Sequence, residues 1–247
     1  MTHSDLTRTR HPREEWLLEV VEAFDVAPRL RRVIFTAAHL DELHYQPGQA
    51  LVLRMPLPDG GTGRRDYTIR WLDRATQRLA IDFVQHGAAP AAEWSRAAMA
   101  GDTILAAGPR GRTIIDAEAN WHLFAADETG MPAVLHMLEA MPAGAPVFAW
   151  IEVDGSRNRM LAATQADATL AWIHRDGARP GPSMLLLDAI AAFALPPGRG
   201  QAYLVGETSN VRGLRHHLIG RGMDRSQIRS EGYWRPGRIG GHDHVDD

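Results

Sequence analysis

The chain contains no cysteine and no lysine. The first absence removes disulfides, thiol nucleophiles, cysteine-ligated zinc and iron–sulfur clusters together, so any redox chemistry has to be carried by a bound cofactor. The second removes a Schiff-base lysine and the lysine of a phosphate-binding loop, and it makes every one of the 27 basic residues an arginine. An excess of one charge is lacking as well: 27 basic against 30 acidic residues leave a net of −3, which does not describe a nucleic-acid binder. Long hydrophobic runs are also missing. The longest, Met184 to Leu195, is broken by Asp188 and is too short to span a bilayer. The Arg-rich stretch Met1 to Glu15 has no apolar centre that would make it a secretory signal, so the expectation is a cytoplasmic protein. No Gly-x-Ser-x-Gly elbow offers a hydrolase nucleophile, and no His-x-x-x-His or carboxylate cluster has metal-ligand spacing. His216 and His217 are adjacent on a helix and diverge. His242, Asp243 and His244 sit in a polar tail, so no metal site is expected.

What is present is an ordinary globular composition, 45% hydrophobic and 23% charged, over 247 residues, which is room for one to two domains. The chain divides by rhythm. After a flexible arm at 1–14, residues 15–117 show short apolar runs bounded by Gly, Pro or Asp: Trp16 to Phe24, Leu30 to Thr36, Ala50 to Met55, Tyr67 to Leu72, Leu79 to Val84 and Thr103 to Ala107. Such spacing predicts an antiparallel β-barrel, with one helix at Ala91 to Met99. Residues 118–238 alternate strand and helix, which predicts an α/β domain on a parallel sheet, and 239–247 is a flexible tail. Ligands of such sheets sit at the strands' carboxyl ends, here Asp127-Glu128-Thr129, Asp154 to Arg159, Arg175 and Gly206-Glu207. A cleft between a barrel and a nucleotide-type sheet is the expected site.

The segment Arg65-Asp66-Tyr67-Thr68-Ile69-Arg70 carries the most information. On a strand, Arg65 and Tyr67 share one face and Thr68 takes the other; a bend or bulge lets all three approach one ligand. In a flavin site the arginine neutralises the diphosphate, the tyrosine packs on the ring or ribityl portion, and the threonine bonds near N5. A half-buried strand with a charged face is the alternative. His86-Gly87-Ala88-Ala89-Pro90, followed by Ala91 and Trp94, reads as a turn opening a helix. Gly108-Pro109-Arg110-Gly111 is a second such turn. Both kinds of element expose backbone N–H groups to a diphosphate. Ser156-Arg157-Asn158-Arg159 follows the second strand of the α/β half, where a 2′-phosphate is held, although Glu152 and Asp154 just before it suit a 2′-hydroxyl instead.

In this order these segments resemble the siderophore-interacting proteins, flavin-dependent ferric-siderophore reductases of the ferredoxin-reductase-like superfamily, over Trp16 to Arg238. Asp127-Glu128-Thr129 with Pro132-Ala133, Trp172 with His174-Arg175, Gly206-Glu207 and Gly232-Tyr233-Trp234-Arg235 complete the likeness. It implies an FAD-binding barrel and an NAD(P)H-binding α/β domain that together reduce chelated Fe(III), with NADPH favoured by Ser156 and Arg157 and NADH as the alternative donor. Thr68 and Tyr67 are then the expected catalytic positions. Expected cofactor contacts are Arg65, Tyr67, Thr68, His86, Gly87, Ala89, Pro90, Ala91, Trp94, Asp127, Thr129, Ser156, Arg157, Gly206, Glu207 and Trp234. Arg54 and Arg235 are expected to offer unpaired positive charge to an anionic ferric chelate, the expected partner; no nucleic acid and no membrane span enter, and a monomer is compatible. Two residues depart from the family pattern: Ala89 and Ala126 stand where glycine is usual, and their methyl groups are expected to crowd phosphate or nicotinamide. The same residues leave open a general flavin or quinone-type reductase, or a module that holds FAD or a chelate without turnover.

Overall fold

The computed structural model describes residues 14–57, 59–85, 89–238 and 243–245. In Glu15–Ala27 (β1), Trp16, Leu18 and Val20 alternate with exposed residues and so point to one face. Leu30–Thr36 (β2), Ala50–Pro56 (β3), Thr62–Asp73 (β4), Arg78–Val84 (β5) and Thr103–Arg110 (β6) complete a closed barrel in the order β1-β2-β5-β4-β3-β6. Closure leaves no free sheet edge. The interior is filled by side chains such as Leu18, Phe35, Leu51, Leu53, Ile69, Ile81 and Phe83. Between β5 and β6, Pro90–Ala97 (α1) begins with proline in its first turn, where the missing N–H costs nothing, and packs Ala91 and Ala98 on the barrel core.

The second half folds as expected into a parallel sheet, ordered β9-β8-β7-β10-β11, from Trp121–Ala126 (β7), Pro146–Val153 (β8), Asp167–His174 (β9), Gly200–Glu207 (β10) and Ile228–Trp234 (β11). Every residue of β7 and β10 is buried, as central strands covered on both faces require. Met131–Glu139 (α2) covers one face; Leu185–Ala191 (α3) and Thr208–Gly220 (α4) cover the other. The strand–helix alternation breaks once: β8 and β9 are joined only by a single 3₁₀ turn, Ser156–Asn158, and an irregular stretch. The tail is corrected in part. Asp243–His244 (β12) pairs antiparallel with β11 and Val245 is buried, because the edge of β11 would otherwise be open.

The domains are knit by charge and by core. Arg70 of β4 donates to both carboxylate oxygens of Glu139 on α2, at 2.6 and 2.7 Å. Its Nε also lies 3.8 Å from Asp82, itself bidentate to Arg32 at 2.7 and 2.8 Å. His136, also on α2, meets the Ile69 carbonyl through Nδ1 at 2.6 Å and the Tyr45 hydroxyl through Nε2 at 3.3 Å. A carbonyl accepts only, so Nδ1 carries the proton and Nε2 accepts from Tyr45. Burial lowers the His136 pKa, in keeping with a neutral ring.

Candidate functional site

The sheet order reverses between β7 and β10, and the crevice of an open α/β sheet lies above that point. Asp127 follows β7 there, and its carboxylate is fully engaged. Oδ1 accepts from the Thr129 and Gly130 N–H groups at 2.8 and 3.3 Å and from the Thr129 hydroxyl at 2.5 Å. Oδ2 accepts from the Glu207 N–H and from Trp234 Nε1, each at 2.8 Å. Asp127, Thr129, Glu207 and Trp234, four residues expected from the sequence, are thus brought to one point, with Asp127 as the scaffold that joins the ends of β7, β10 and β11. Gly206 has φ +141°, and a Cβ there would lie 2.8 Å from the Asp127 carboxyl carbon, so glycine is required. Glu207 caps α4 by accepting the Asn210 N–H through Oε2 at 2.9 Å, while its buried Oε1 has no hydrogen-bond partner.

On the barrel side β4 separates its residues as expected. Tyr67 packs on the barrel core, where its ring centre lies 4.4 Å from that of Phe83. Thr68, paired with Ala50, takes the outer face. A register shift against β5 falls between Ile69 and Trp71, at the motif's last residue. From the outer face the Thr68 side chain lies beside that of Tyr233 on β11, whose hydroxyl pKa burial pushes up. The flavin-type strand and the end of the nucleotide-type sheet therefore touch. Tyr233 was quoted in a motif yet given no role, because nothing local in the sequence says that a tyrosine 165 positions later reaches Thr68.

The remaining expected residues are distributed as follows. Ala89 is the N-cap of α1, with no side-chain cap bond among the described residues. His86 and Gly87 lie outside the described residues. Trp94 is half-buried in an aromatic cluster, its ring 6.2 Å from Phe35 and 5.9 Å from Phe83. The Arg65 guanidinium donates to the Arg64 carbonyl at 2.8 Å. Ser156 and Arg157 are exposed on the turn after β8. Glu152 is corrected as a ribose ligand: it is buried on β8, bonded to Arg175 Nη1 at 3.3 Å and to the Ser183 hydroxyl at 3.1 Å. The expected crowding by Ala126 is corrected too. Its methyl belongs to the core beneath α2, 3.0 Å from where a Gly130 Cβ would stand, and Gly130 supplies the space. Neither substrate arginine is unpaired: Arg54 bonds Glu15, and Arg235 lies 3.9 Å from Asp243. Arg54 is four residues along β3 from Ala50, the partner of Thr68, which places it roughly 13 Å up the strand. Arg235 stays two residues from Tyr233.

The residues present fit the two groups that the family likeness implies. The orphaned Glu207 oxygen lies at the carboxyl end of β10, beside the reversal of strand order where a nicotinamide would meet the sheet. The start of α1, with Tyr67 and Thr68, suits a flavin dinucleotide. Among the described residues no group of three or more His, Asp or Glu is placed to hold a metal, and no helix is long and apolar enough to cross a membrane.

Comparison with known proteins agrees with this geometry. Residues 58–113 match the model of the siderophore-interacting FAD-binding domain and residues 119–237 that of the siderophore-interacting protein. The crystal structure of a siderophore utilization protein from T. fusca superposes with a TM-score of 0.86 at 32% identity, covering 95% of this chain and 97% of that one. The ferric vibriobactin reductase of Vibrio cholerae is 29% identical, over 78% of this chain and 75% of its own. The NADPH-dependent ferric-chelate reductase of Escherichia coli is 28% identical, over 69% and 65%. A ferredoxin NADP+ reductase from Neisseria gonorrhoeae, with a TM-score of 0.70 and 17% identity over 89% of this chain and 99% of that one, shares the fold. By sequence and by architecture, this chain belongs to the siderophore-interacting protein family.

Proposed function

We propose that the protein reduces a ferric siderophore or similar Fe(III) chelate in the cytoplasm, using FAD and NADPH, and so releases Fe(II). The observation that carries this reading is the contact between Thr68 of the barrel and Tyr233 of the α/β domain, beside the Asp127–Trp234 hydrogen bond. It makes one site of the two domain ends that a flavin and a nicotinamide need. When bound, the flavin turns a two-electron hydride donor into single-electron delivery to two Fe(III) ions in succession.

The chain's own residues bind and orient. Tyr67, fixed against Phe83, presents a flat surface, and the Thr68 hydroxyl beside Tyr233 is a hydrogen-bonding group. The start of α1 offers backbone N–H groups to a diphosphate, and the Arg65 guanidinium offsets its charge. Asp127 holds Glu207 so that its Oε1 is available to an amide N–H, a task that needs an acceptor and no proton transfer. Ser156 and Arg157 supply a hydroxyl and a guanidinium for a 2′-phosphate. Arg235, and Arg54 farther along the barrel, attract an anionic chelate after their carboxylate partners yield.

The test is anaerobic rapid mixing of the FAD-loaded protein with NADPH, then with ferric chelates and quinones. Bleaching of the flavin by NADPH and its recovery with ferric chelates, but not with quinones, is expected. Absence of bleaching would leave a binding module, and recovery with quinones alone a reductase of another class.

A further inference from the structure

Arg29 is one of the two residues at the tip of the hairpin between β1 and β2, where Ala27 pairs with Leu30. The hairpin belongs to the barrel by chain and to the other domain by packing: Ala27 and Leu30 are buried with Phe124, Ala126 and Val134. The Arg29 carbonyl accepts from the Gln85 N–H at 2.8 Å, which ties the tip to the strand end leading toward α1. Its side chain runs the other way, to the carboxyl ends of β7 and β8. Nε is 3.8 Å from Glu128 Oε2 and Nη1 is 3.8 Å from Asp154 Oδ2. Both distances exceed a hydrogen bond.

These carboxylates do not use the guanidinium as a hydrogen-bond donor. Glu128 accepts from the Asp154 N–H and from Arg175 Nη2, each at 2.8 Å. Arg29 Nε is buried and has no hydrogen-bond partner, and neither has Asp154 Oδ1. A buried guanidinium N–H without an acceptor is costly, and a planar fork of donors is matched by a phosphate's oxygens. The place adjoins the turn from Asp127 to Gly130, which opens α2 at the end of the first strand of the sheet, the side on which ligands of such sheets bind. Without Arg29 the same crevice would face an anion with Glu128 and Asp154.

We infer that Arg29 binds the diphosphate of the nicotinamide dinucleotide, so that the barrel lends the α/β domain a guanidinium beside Arg175, which Glu128 and Glu152 already hold. This rests on the nicotinamide reading above. A diphosphate is common to NADPH and NADH, so Arg29 sets affinity for both and leaves the choice between them to the turn after β8.

The test is calorimetric titration of the FAD-loaded protein with NADP+, with ADP-ribose, which has the diphosphate and no nicotinamide, and with 2′-AMP, which has a phosphate and no diphosphate. Arg29→Gln is expected to weaken NADP+ and ADP-ribose by about 10–100-fold and to leave 2′-AMP within about twofold. Arg29→Lys, which keeps the charge without the fork, falls between and serves alone if the glutamine variant does not fold. Unchanged ADP-ribose binding, or equal loss for 2′-AMP, overturns the inference and leaves Arg29 as an interdomain contact. If the unaltered protein binds none of the three, the nicotinamide reading itself fails.

Discussion

Asp127→Asn changes one atom of the site and tests its architecture. The carboxylate accepts from five donors, three at Oδ1 and two at Oδ2. An asparagine can keep its oxygen at one of these positions and must turn its NH2 toward the donors at the other. With the oxygen on the Oδ1 side, the Glu207 N–H and Trp234 Nε1 lose their acceptor and face a donor. Asp127 and Glu207 are both buried, so water cannot substitute easily. Each unsatisfied buried donor costs about 1–3 kcal/mol, which gives roughly 2–6 kcal/mol for the substitution. Trp234→Phe removes one donor and leaves the carboxylate otherwise satisfied, for a loss of about 1 kcal/mol. Urea unfolding of both single variants and of the double variant measures the difference, and the double variant should lose less than the sum, because Asp127→Asn has already cut the Trp234 bond. A loss below about 1 kcal/mol for Asp127→Asn, or strict additivity, would refute the view that this carboxylate clamps the three strand ends.

Two further outcomes are expected. Thr68→Ala removes the hydroxyl that meets Tyr233 and should slow flavin reduction about tenfold, corresponding to about 1.4 kcal/mol, with little change in melting temperature; an unchanged rate and flavin spectrum would remove Thr68 from the site. His136, whose pKa burial lowers from 6.5, binds its proton more readily unfolded than folded, so its stabilising contribution is complete above pH 6.5 and is lost as pH falls below it. The slope is at most about 1.4 kcal/mol per pH unit per histidine, and His136→Gln should flatten the stability profile below pH 6.5, which unfolding at a series of pH values checks.

The fold was largely legible because its signals are local. Period-two alternation in Glu15–Ala27 and the unbroken apolar run of Trp121–Ala126 distinguish a barrel strand from a doubly covered parallel one without any tertiary information. What was not legible depends on pairs far apart in the chain. Arg70 and Glu139 are 69 positions apart, and nothing near either marks a partner. Arg175 can be quoted as a motif residue, but its burial between Glu128 and Glu152 needs the sheet to bring β7, β8 and β9 side by side. Ala126 misled for a related reason: a methyl group is an obstacle or a packing atom depending on which way its strand faces, and a single sequence position does not say which.

The contacts that escaped the sequence bear directly on how the site works. A hinge between the domains would have to break the Arg70–Glu139 fork, the His136 bond to the Ile69 carbonyl and the burial of Ala27 and Leu30 in the α/β core. The fork and the His136 bond act on residues within two positions of Thr68, so α2 fixes the flavin strand at the point where the two domain ends meet. With Arg70 6% and Glu139 25% exposed, opening has to separate a largely buried charged fork together with the apolar contacts around it. Domain closure on binding is therefore an expensive route for this chain. A preorganised cleft between the barrel and the sheet is the geometry that these bonds favour, since orientation is then established before a substrate arrives.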